Sequence, residues 1–397
     1  MITLKKKFVD SYSFVFNKTV IVRVDLNVPT EENTIKDNTR ILKVLPTISK
    51  LLEQKAKIIL ISHFGRPKGK CLQEFSLRFL VNELEKLTEQ KVHFIDTDIK
   101  NLNKSDFESK FKEFDIIMLE NIRFYSEEEK NLDKFSQKVA SFGDIYINEC
   151  FSSSHRQHAS ISGIPKYLPS FPGKLLENEV QNLKNLFLVA NESDSVAIIG
   201  GAKISTKIKL IEFYAKKYSK VIVGGAMANT LNFAQGYDIG DSLYEKKMTE
   251  FAKTLLTEYS NKIVLPIDCI VTDKQLQKNP EAKLINEITK KDMIVDIGPK
   301  TRMLFYNEIL KAKIVLWNGP LGLFEKKPFD EGTLFVLSAI KANKNKNFFS
   351  VAGGGDTISL LNDSNSYNEF SFVSTGGGAF LEFVQGKSMP GLSSLNV

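Results

Sequence analysis

The stretch SVAIIGGAK, Ser195–Lys203, decides the fold. A β-rich apolar run, Ser195–Ile199, passes through Gly200-Gly201 straight into a helical pattern over Ile204–Lys217. A strand delivered into a helix by a glycine turn is half of a βαβ unit. The same rhythm extends in both directions. Further strands are expected at Thr19–Val24, Lys57–Ile61, Asp115–Leu119, Asp144–Ile147, Lys220–Val223, Lys262–Pro266, Met293–Ile297, Lys313–Trp317 and Phe348–Ala352. Helical stretches lie between them at Thr39–Glu53, Ser76–Leu87, Asn131–Ser141, Tyr244–Tyr259 and Glu331–Ala342. The fold class is therefore α/β with parallel sheets, and this many strands demand two sheets, hence two lobes.

The division is expected near Pro165–Gly173, where Pro165, Pro169, Pro172 and Gly173 punctuate the chain. A helical stretch from Lys174 to about Ala190 follows, apolar at Leu175, Leu176, Val180, Leu183, Leu186 and Phe187, and reads as a helix joining the lobes. The expected domains are residues 1–172, a joining helix 173–190, and residues 191–381.

Arginine and glycine are sorted to opposite halves. Of 54 basic residues seven are arginine, and Arg23, Arg40, Arg66, Arg78, Arg123 and Arg156 precede Arg302 by more than a hundred positions. Glycine runs the other way: five of 23 precede position 180. A chain that otherwise uses lysine has kept a planar, always-charged fork where phosphate or carboxylate oxygens need paired donors. Clustered glycines let backbone N–H groups approach a polyphosphate at helix starts. One lobe is read as holding a small polyanion and the other a nucleotide.

Composition excludes other classes. A net charge of +7 over 397 residues is dilute, and only Lys5–Lys7 forms a basic run, so nucleic acid is not an expected partner. Cys71, Cys150 and Cys269 form no paired spacing and read as reduced thiols of a cytoplasmic protein. His155 and His158 lack the cysteines of a zinc site. Neither a signal peptide nor an 18-residue apolar run is present.

In parallel sheets, ligands gather at the carboxyl ends of strands. Those ends carry Arg23-Val24-Asp25-Leu26-Asn27, Ser62-His63-Phe64-Gly65-Arg66, Glu120–Arg123, Gly200–Lys203, Gly224-Gly225, Trp317–Pro320 and Gly353–Thr357. Arg78 and Arg302 read as surface ion pairs; Arg23, Arg40, Arg66, Arg123 and Arg156 read as functional. Lys203, Lys207 and Lys209 at a helix start oppose the dipole, a cost that a bound anion would offset. Asp356, after the triplet Gly353–Gly355, is either a helix cap or a magnesium ligand. The P-loop, the dinucleotide fingerprint and the protein-kinase signatures are all absent.

Taken in order, eleven segments resemble the phosphoglycerate kinase family: RVDLNVP (23–29), DNTRI (37–41), SHFGRPKG (62–69), LENIRF (119–124), SHRQHAS (154–160), GGAKISTK (200–207), GGAMANT (224–230), DIGPKT (296–301), WNGPLGLFE (317–325), GGGDT (353–357) and STGGGAFLE (374–382). The resemblance implies two Rossmann-like lobes with a cleft between them, and a tail from about residue 382 that returns to the first lobe. It implies reversible phosphoryl transfer between 1,3-bisphosphoglycerate and ADP, with Mg2+ accompanying the nucleotide, in a monomer. It places 3-phosphoglycerate on Asp25, Asn27, Arg40, His63, Arg66, Arg123 and Arg156. It places the nucleotide on Lys203, Lys207, Gly225, Asn318, Pro320, Glu325, Gly353, Gly354, Gly355, Asp356 and Thr357, with Gly376–Gly378 nearby and the metal at Asp356. Arg40, Lys203, Gly355 and Gly378 attend the moving phosphoryl group.

Departures from the family pattern are Glu149-Cys150, Gln157, Thr206, Phe372 and the Pro172–Lys174 joint, which bear on hinge motion and rate. The substrate carboxylate is ionised at neutral pH, so no general base is needed; the barrier lies in bringing two polyanions together. A Rossmann-type oxidoreductase would need the missing fingerprint, and a non-catalytic anion binder gives no reason for Lys203 and Asp356 together.

Overall fold

The structure is a computed structural model describing residues 13–32, 34–189 and 194–395. Lys5–Lys7 and the Ala190 end of the expected joining helix lie outside the described residues. The chain forms two compact units: residues up to Gln181 together with those from Gly386, and Asn182–Gln385.

The first unit is built on β1 (Thr19–Arg23), β2 (Lys57–Ile61), β3 (Val92–Ile95), β4 (Ile116–Leu119), β5 (Ile145–Asn148) and β6 (Ser170–Pro172). They form one parallel sheet in the order β3-β4-β2-β1-β5-β6. Val22 lies opposite Leu60 on one side and Ile147 on the other. The central strands are apolar on both faces because helices cover both. Helix α1 (Thr39–Glu53) lays Ile41, Val44, Ile48 and Leu51 onto this core, a spacing of one helical face. Part of the proline-rich stretch becomes β6 at the sheet edge, where Pro172 costs no ladder bond.

Helix α2 (Lys174–Val189) begins against a buried carboxylate. Glu149 Oε1 accepts from the Thr47 hydroxyl and from Leu175 N–H at 3.2 Å, and Oε2 accepts from Leu176 N–H at 3.0 Å. A Cβ at Gly173 would overlap the Glu149 carboxyl, so only glycine fits there.

In the second unit the strands are β7 (Ser195–Ile199), β8 (Lys220–Val223), β9 (Ile263–Val264), β10 (Asp268–Thr272), β11 (Glu281–Leu284), β12 (Met293–Ile297), β13 (Ile314–Asn318), β14 (Phe349–Gly353) and β15 (Phe372–Ser374). The parallel sheet runs β9-β8-β7-β13-β14-β15, and a separate antiparallel sheet runs β11-β10-β12. Its helices include α3 (Ile204–Lys217), α4 (Ala226–Ala234), α5 (Pro299–Lys311), α6 (Glu331–Ala342), α7 (Gly355–Asp363) and α8 (Gly378–Val384), with a further helix at Thr249–Glu258.

Several expected boundaries shift for physical reasons. Met293–Ile297 is a strand, but it pairs antiparallel outside the main sheet. The helix expected from Ser76 starts at Val81, because Ser76 Oγ and Leu77 N are bonded to the Glu120 carboxylate at 2.7 and 2.8 Å. The helix expected from Tyr244 starts at Thr249, because Glu245 is engaged elsewhere. Among the described residues no helix is long and apolar enough to cross a membrane.

Candidate active site

In the first unit, the carboxyl ends of β1, β2, β4 and β5 carry Arg23, His63, Arg66, Arg123 and Arg156, Arg40 stands in the first turn of α1, and hydrogen bonds tie several of them into local groups. Arg23, fully buried, donates from Nε to Ser160 Oγ at 2.8 Å and from Nη1 to the Val24 carbonyl, and its Nη2 lies 3.1 Å from His63 Nδ1. A guanidinium can only donate, so His63 Nδ1 accepts and its proton sits on Nε2. Burial holds His63 well below its ordinary pKa; Asp25 opposes the shift, while Arg23, Arg123 and Arg40 reinforce it. The ring is a neutral donor.

Asp25 Oδ2 accepts from Arg40 Nη1 and from Ser152 Oγ, and Oδ1 accepts from Asn27 N–H at 3.1 Å. Burial raises this carboxyl, but Arg40 and the hydrogen bonds from Ser152 and Asn27 outweigh it, so Asp25 stays ionised far into acid. Asn27 Oδ1 accepts from Gly65 N–H at 2.9 Å, and Arg123 Nη1 donates to the Gly65 carbonyl at 2.8 Å. Those two bonds fix the turn that carries Arg66, whose side chain is exposed. Arg123 is 5 % exposed, its Nε is buried without a hydrogen-bond partner, and the Glu129 carboxylate is 3.9 Å away. Burial, then Arg23 and Arg156, pull its pKa down to about 10. Burial, then Arg123, Arg156 and Arg23, push His158 down to about 3. This pocket is short of negative charge.

In the second unit the glycine segments interlock. Gly200 N donates to the Asn318 carbonyl at 2.9 Å, Gly225 N to Leu321 O at 2.9 Å, and Gly319 N to Thr357 Oγ1 at 2.8 Å. Asn318 Nδ2 donates to Gly353 O at 2.6 Å, while its Oδ1 is buried without a partner. Gly319 has φ 100°, and a Cβ there would strike the Gly200 backbone. Lys207 Nζ donates to Gly200 O at 2.7 Å; burial lowers its pKa to about 8, and Asp356 partly offsets that. One cavity is lined by Gly225, Pro320, Glu325 and Asp356 among others, with Leu243, Cys269 and Phe324 supplying apolar wall. Lys203 caps α3 with its side chain exposed. Gly353 and Gly355 flank Gly354 at the start of α7, and Gly376–Gly378 follow β15, the neighbouring strand, into α8.

Asp356 is exposed, and no cluster of three or more metal-ligating side chains occurs among the described residues. A single carboxylate fits magnesium, which keeps waters and takes its remaining ligands from phosphates.

Arg78 forms the expected surface pair, 2.5 Å from Asp96 with both side chains exposed. Arg302 departs from expectation. Its Nη2 lies 3.2 Å from Asp296, which is 1 % exposed, so the pair is half-buried rather than solvated. That buried carboxyl, pushed up to about 7 chiefly by burial, also accepts Gly332 N–H at 2.6 Å.

Sequence reasoning missed Glu128, Ser152 and Ser160. Glu128 sits in the acidic run Ser126–Glu129, yet it is fully buried and accepts Ser160 Oγ at 2.6 Å and Ser160 N–H at 2.8 Å. Through Ser160 it is the counter-ion of Arg23. Only its neighbourhood in space reveals it.

The profile of the family described as phosphoglycerate kinase matches residues 10–387. The phosphoglycerate kinase of Orientia tsutsugamushi (strain Ikeda) is 43 % identical over 385 residues, covering 96 % of this chain and 94 % of its own. That of Rhizobium meliloti (strain 1021) is 40 % identical, covering 98 % of both. The solved phosphoglycerate kinase of Coxiella burnetii superposes with a TM-score of 0.85 at 36 % identity, covering 96 % of this chain and 97 % of its own. The Pyrococcus horikoshii enzyme gives 0.81 at 29 % identity, covering 97 % and 98 %.

Proposed function

The chain belongs to the phosphoglycerate kinase family, and from that premise we propose how its residues carry the family's reaction, reversible phosphoryl transfer from 1,3-bisphosphoglycerate to ADP giving 3-phosphoglycerate and ATP. The 3-phosphoglycerate phosphate and carboxylate take Arg66, Arg123 and Arg156, with Asn27 and the Nε2 proton of His63 as neutral donors. Asp25 is not a base in this scheme. Its ionised carboxylate orients Arg40, which is then free to offset charge on the transferring group.

ADP or ATP takes the cavity of the second unit. Glu325 accepts from ribose hydroxyls, Asn318 Oδ1 and Pro320 meet the nucleoside side, Gly225 and Gly353 let the chain approach closely, and the amides of Gly354, Gly355, Gly377 and Gly378 meet phosphates. Lys207 neutralises the polyphosphate, and Thr357 holds the Gly319 turn against Gly353. Asp356 would hold magnesium, which supplies positive charge to phosphate oxygens. Lys203 follows the phosphoryl group, and Gly355 and Gly378 offer it N–H groups. In-line transfer then needs positioning and charge stabilisation rather than proton removal. Soluble substrates of this kind support a cytoplasmic enzyme, and the monomeric state is proposed from the family resemblance alone.

Arg123 carries this reading: a buried guanidinium, crowded by two others, with a donor left over. Its missing partner has the chemistry of a phosphate or carboxylate oxygen. A coupled assay with 3-phosphoglycerate, ATP and magnesium tests it. Turnover is expected, and Arg123→Ala should raise KM for 3-phosphoglycerate roughly 10- to 100-fold, the worth of one or two charged hydrogen bonds. Absence of turnover, or an unchanged KM in the variant, would overturn it.

A further inference from the structure

Helix α3 begins at the residue assigned to follow the phosphoryl group, and its own sequence cannot close that end. The first amides of a helix have no intrahelical acceptor. Lys203, at the cap position with φ −122° and ψ 114°, has no side-chain oxygen to offer, and the first turn holds no acid. Lys203, Lys207 and Lys209 add positive charge to the positive end of the dipole.

The missing acceptor comes from forty residues away. Ser205 N–H donates to Glu245 Oε2 at 2.7 Å, and Ser205 Oγ donates to Oε1 at 2.6 Å. Glu245 is anchored in turn: its own N–H donates to the hydroxyl of the fully buried Thr230 on α4 at 3.1 Å. Just before it, Leu243 O accepts from Asn229 Nδ2 at 3.1 Å. Helix α4 is itself tied to the turn before α3, since Met227 N–H donates to Gly201 O at 3.1 Å. Glu245 thus straps the start of α3 to the middle of α4. The Ser205 hydroxyl and N–H hold its pKa below the ordinary value, with a further pull from Lys203, so it is ionised at neutral pH.

We propose that Glu245 is a positioning residue for Lys203: its carboxylate, delivered from the segment after α4, closes the N-terminus of α3 and so sets where the lysine is presented. The proposal rests on the reading of Lys203 as the lysine that follows the transferring group. Glu245 touches no substrate in this scheme. It acts through the backbone of Ser205, two residues from Lys203.

The test uses the full chain with Glu245→Gln, which keeps the side-chain length but turns one acceptor into a donor facing Ser205. Expected are a fall in kcat on the order of tenfold with KM for ATP changed by less than about twofold, and faster amide exchange at Ser205 and Thr206. In a Lys203→Ala background the same substitution should add no further loss of kcat, a non-additivity that a merely structural residue would not show. Ser205→Ala, at an exposed position, decides the matter if Glu245→Gln does not fold; it removes one bond of two and should cost kcat about threefold. Unchanged kcat with Lys203→Ala strongly impaired would overturn the strap alone, as would a rise in KM with kcat intact or a full additional loss in the double variant. If Lys203→Ala keeps full turnover, the transfer role itself fails, and faster exchange in Glu245→Gln would then mark Glu245 as only a helix cap.

Discussion

Lys207 is a cation held where burial makes charge costly, and that sets a pH window. Its pKa is lowered to about 8 from the ordinary 10.5, chiefly by burial. A bound polyphosphate favours the charged form, so ADP affinity should weaken as pH rises through about 8, as calorimetric titration from pH 7 to 9.5 would show; Lys207→Ala should bind weakly and without that dependence. The sign for stability is opposite. Between about 8 and 10.5 the unfolded chain binds the proton more tightly, so this group's contribution to stability grows with pH there. Lys203→Ala should instead lower kcat far more than it changes either KM, on the order of 10²- to 10³-fold, since its contact is made to the moving group. Both lysines were legible in the sequence because cations at a helix start need an explanation. Glu128 was not, because a buried carboxylate and a solvated one look alike within Ser126–Glu129.

At the scale of elements, strand ends were legible and pairing partners were not. Runs such as Thr19–Arg23 and Ser195–Ile199 announce themselves by β-branched residues that stop at arginine or glycine. Met293–Ile297 has the same composition, yet it left the parallel sheet for an antiparallel one, since composition records burial rather than direction. Two elements can be broken selectively. Gly319→Ala forces an L side chain to φ 100° and against the Gly200 backbone, so nucleotide binding should fall at least tenfold, with 3-phosphoglycerate binding to the other unit unchanged in separate titrations. Burial pushes the Glu149 carboxyl up to about 7, so above that pH Glu149→Gln places an amide donor among the donors Thr47, Leu175 and Leu176 in place of a carboxylate, and should lower stability by about 1–3 kcal/mol in thermal unfolding at pH 8, with a smaller loss at pH 6.

For the whole molecule, the segment from Gly386 belongs with the first unit although the second unit separates them in the chain. Met389, Leu392 and Leu395 are fully buried there, Gly391 N–H donates to Ser154 O at 2.8 Å, and Asn148 Nδ2 donates to Gly391 O at 3.3 Å. These contacts brace the loop carrying His155 and Arg156. Truncation after Gln385 should therefore weaken 3-phosphoglycerate binding and lower the melting temperature of the first unit, while ADP still binds the second; calorimetry with each ligand distinguishes the two.

The same closure orders events during translation. As the polypeptide is made, the first sheet must wait for its brace until the whole second unit has been synthesised, whereas the second unit draws its strands from one continuous stretch. A product terminated before Gly386 holds the complete nucleotide unit but a loosened acceptor half, so the acceptor half is firm only once the tail has been made.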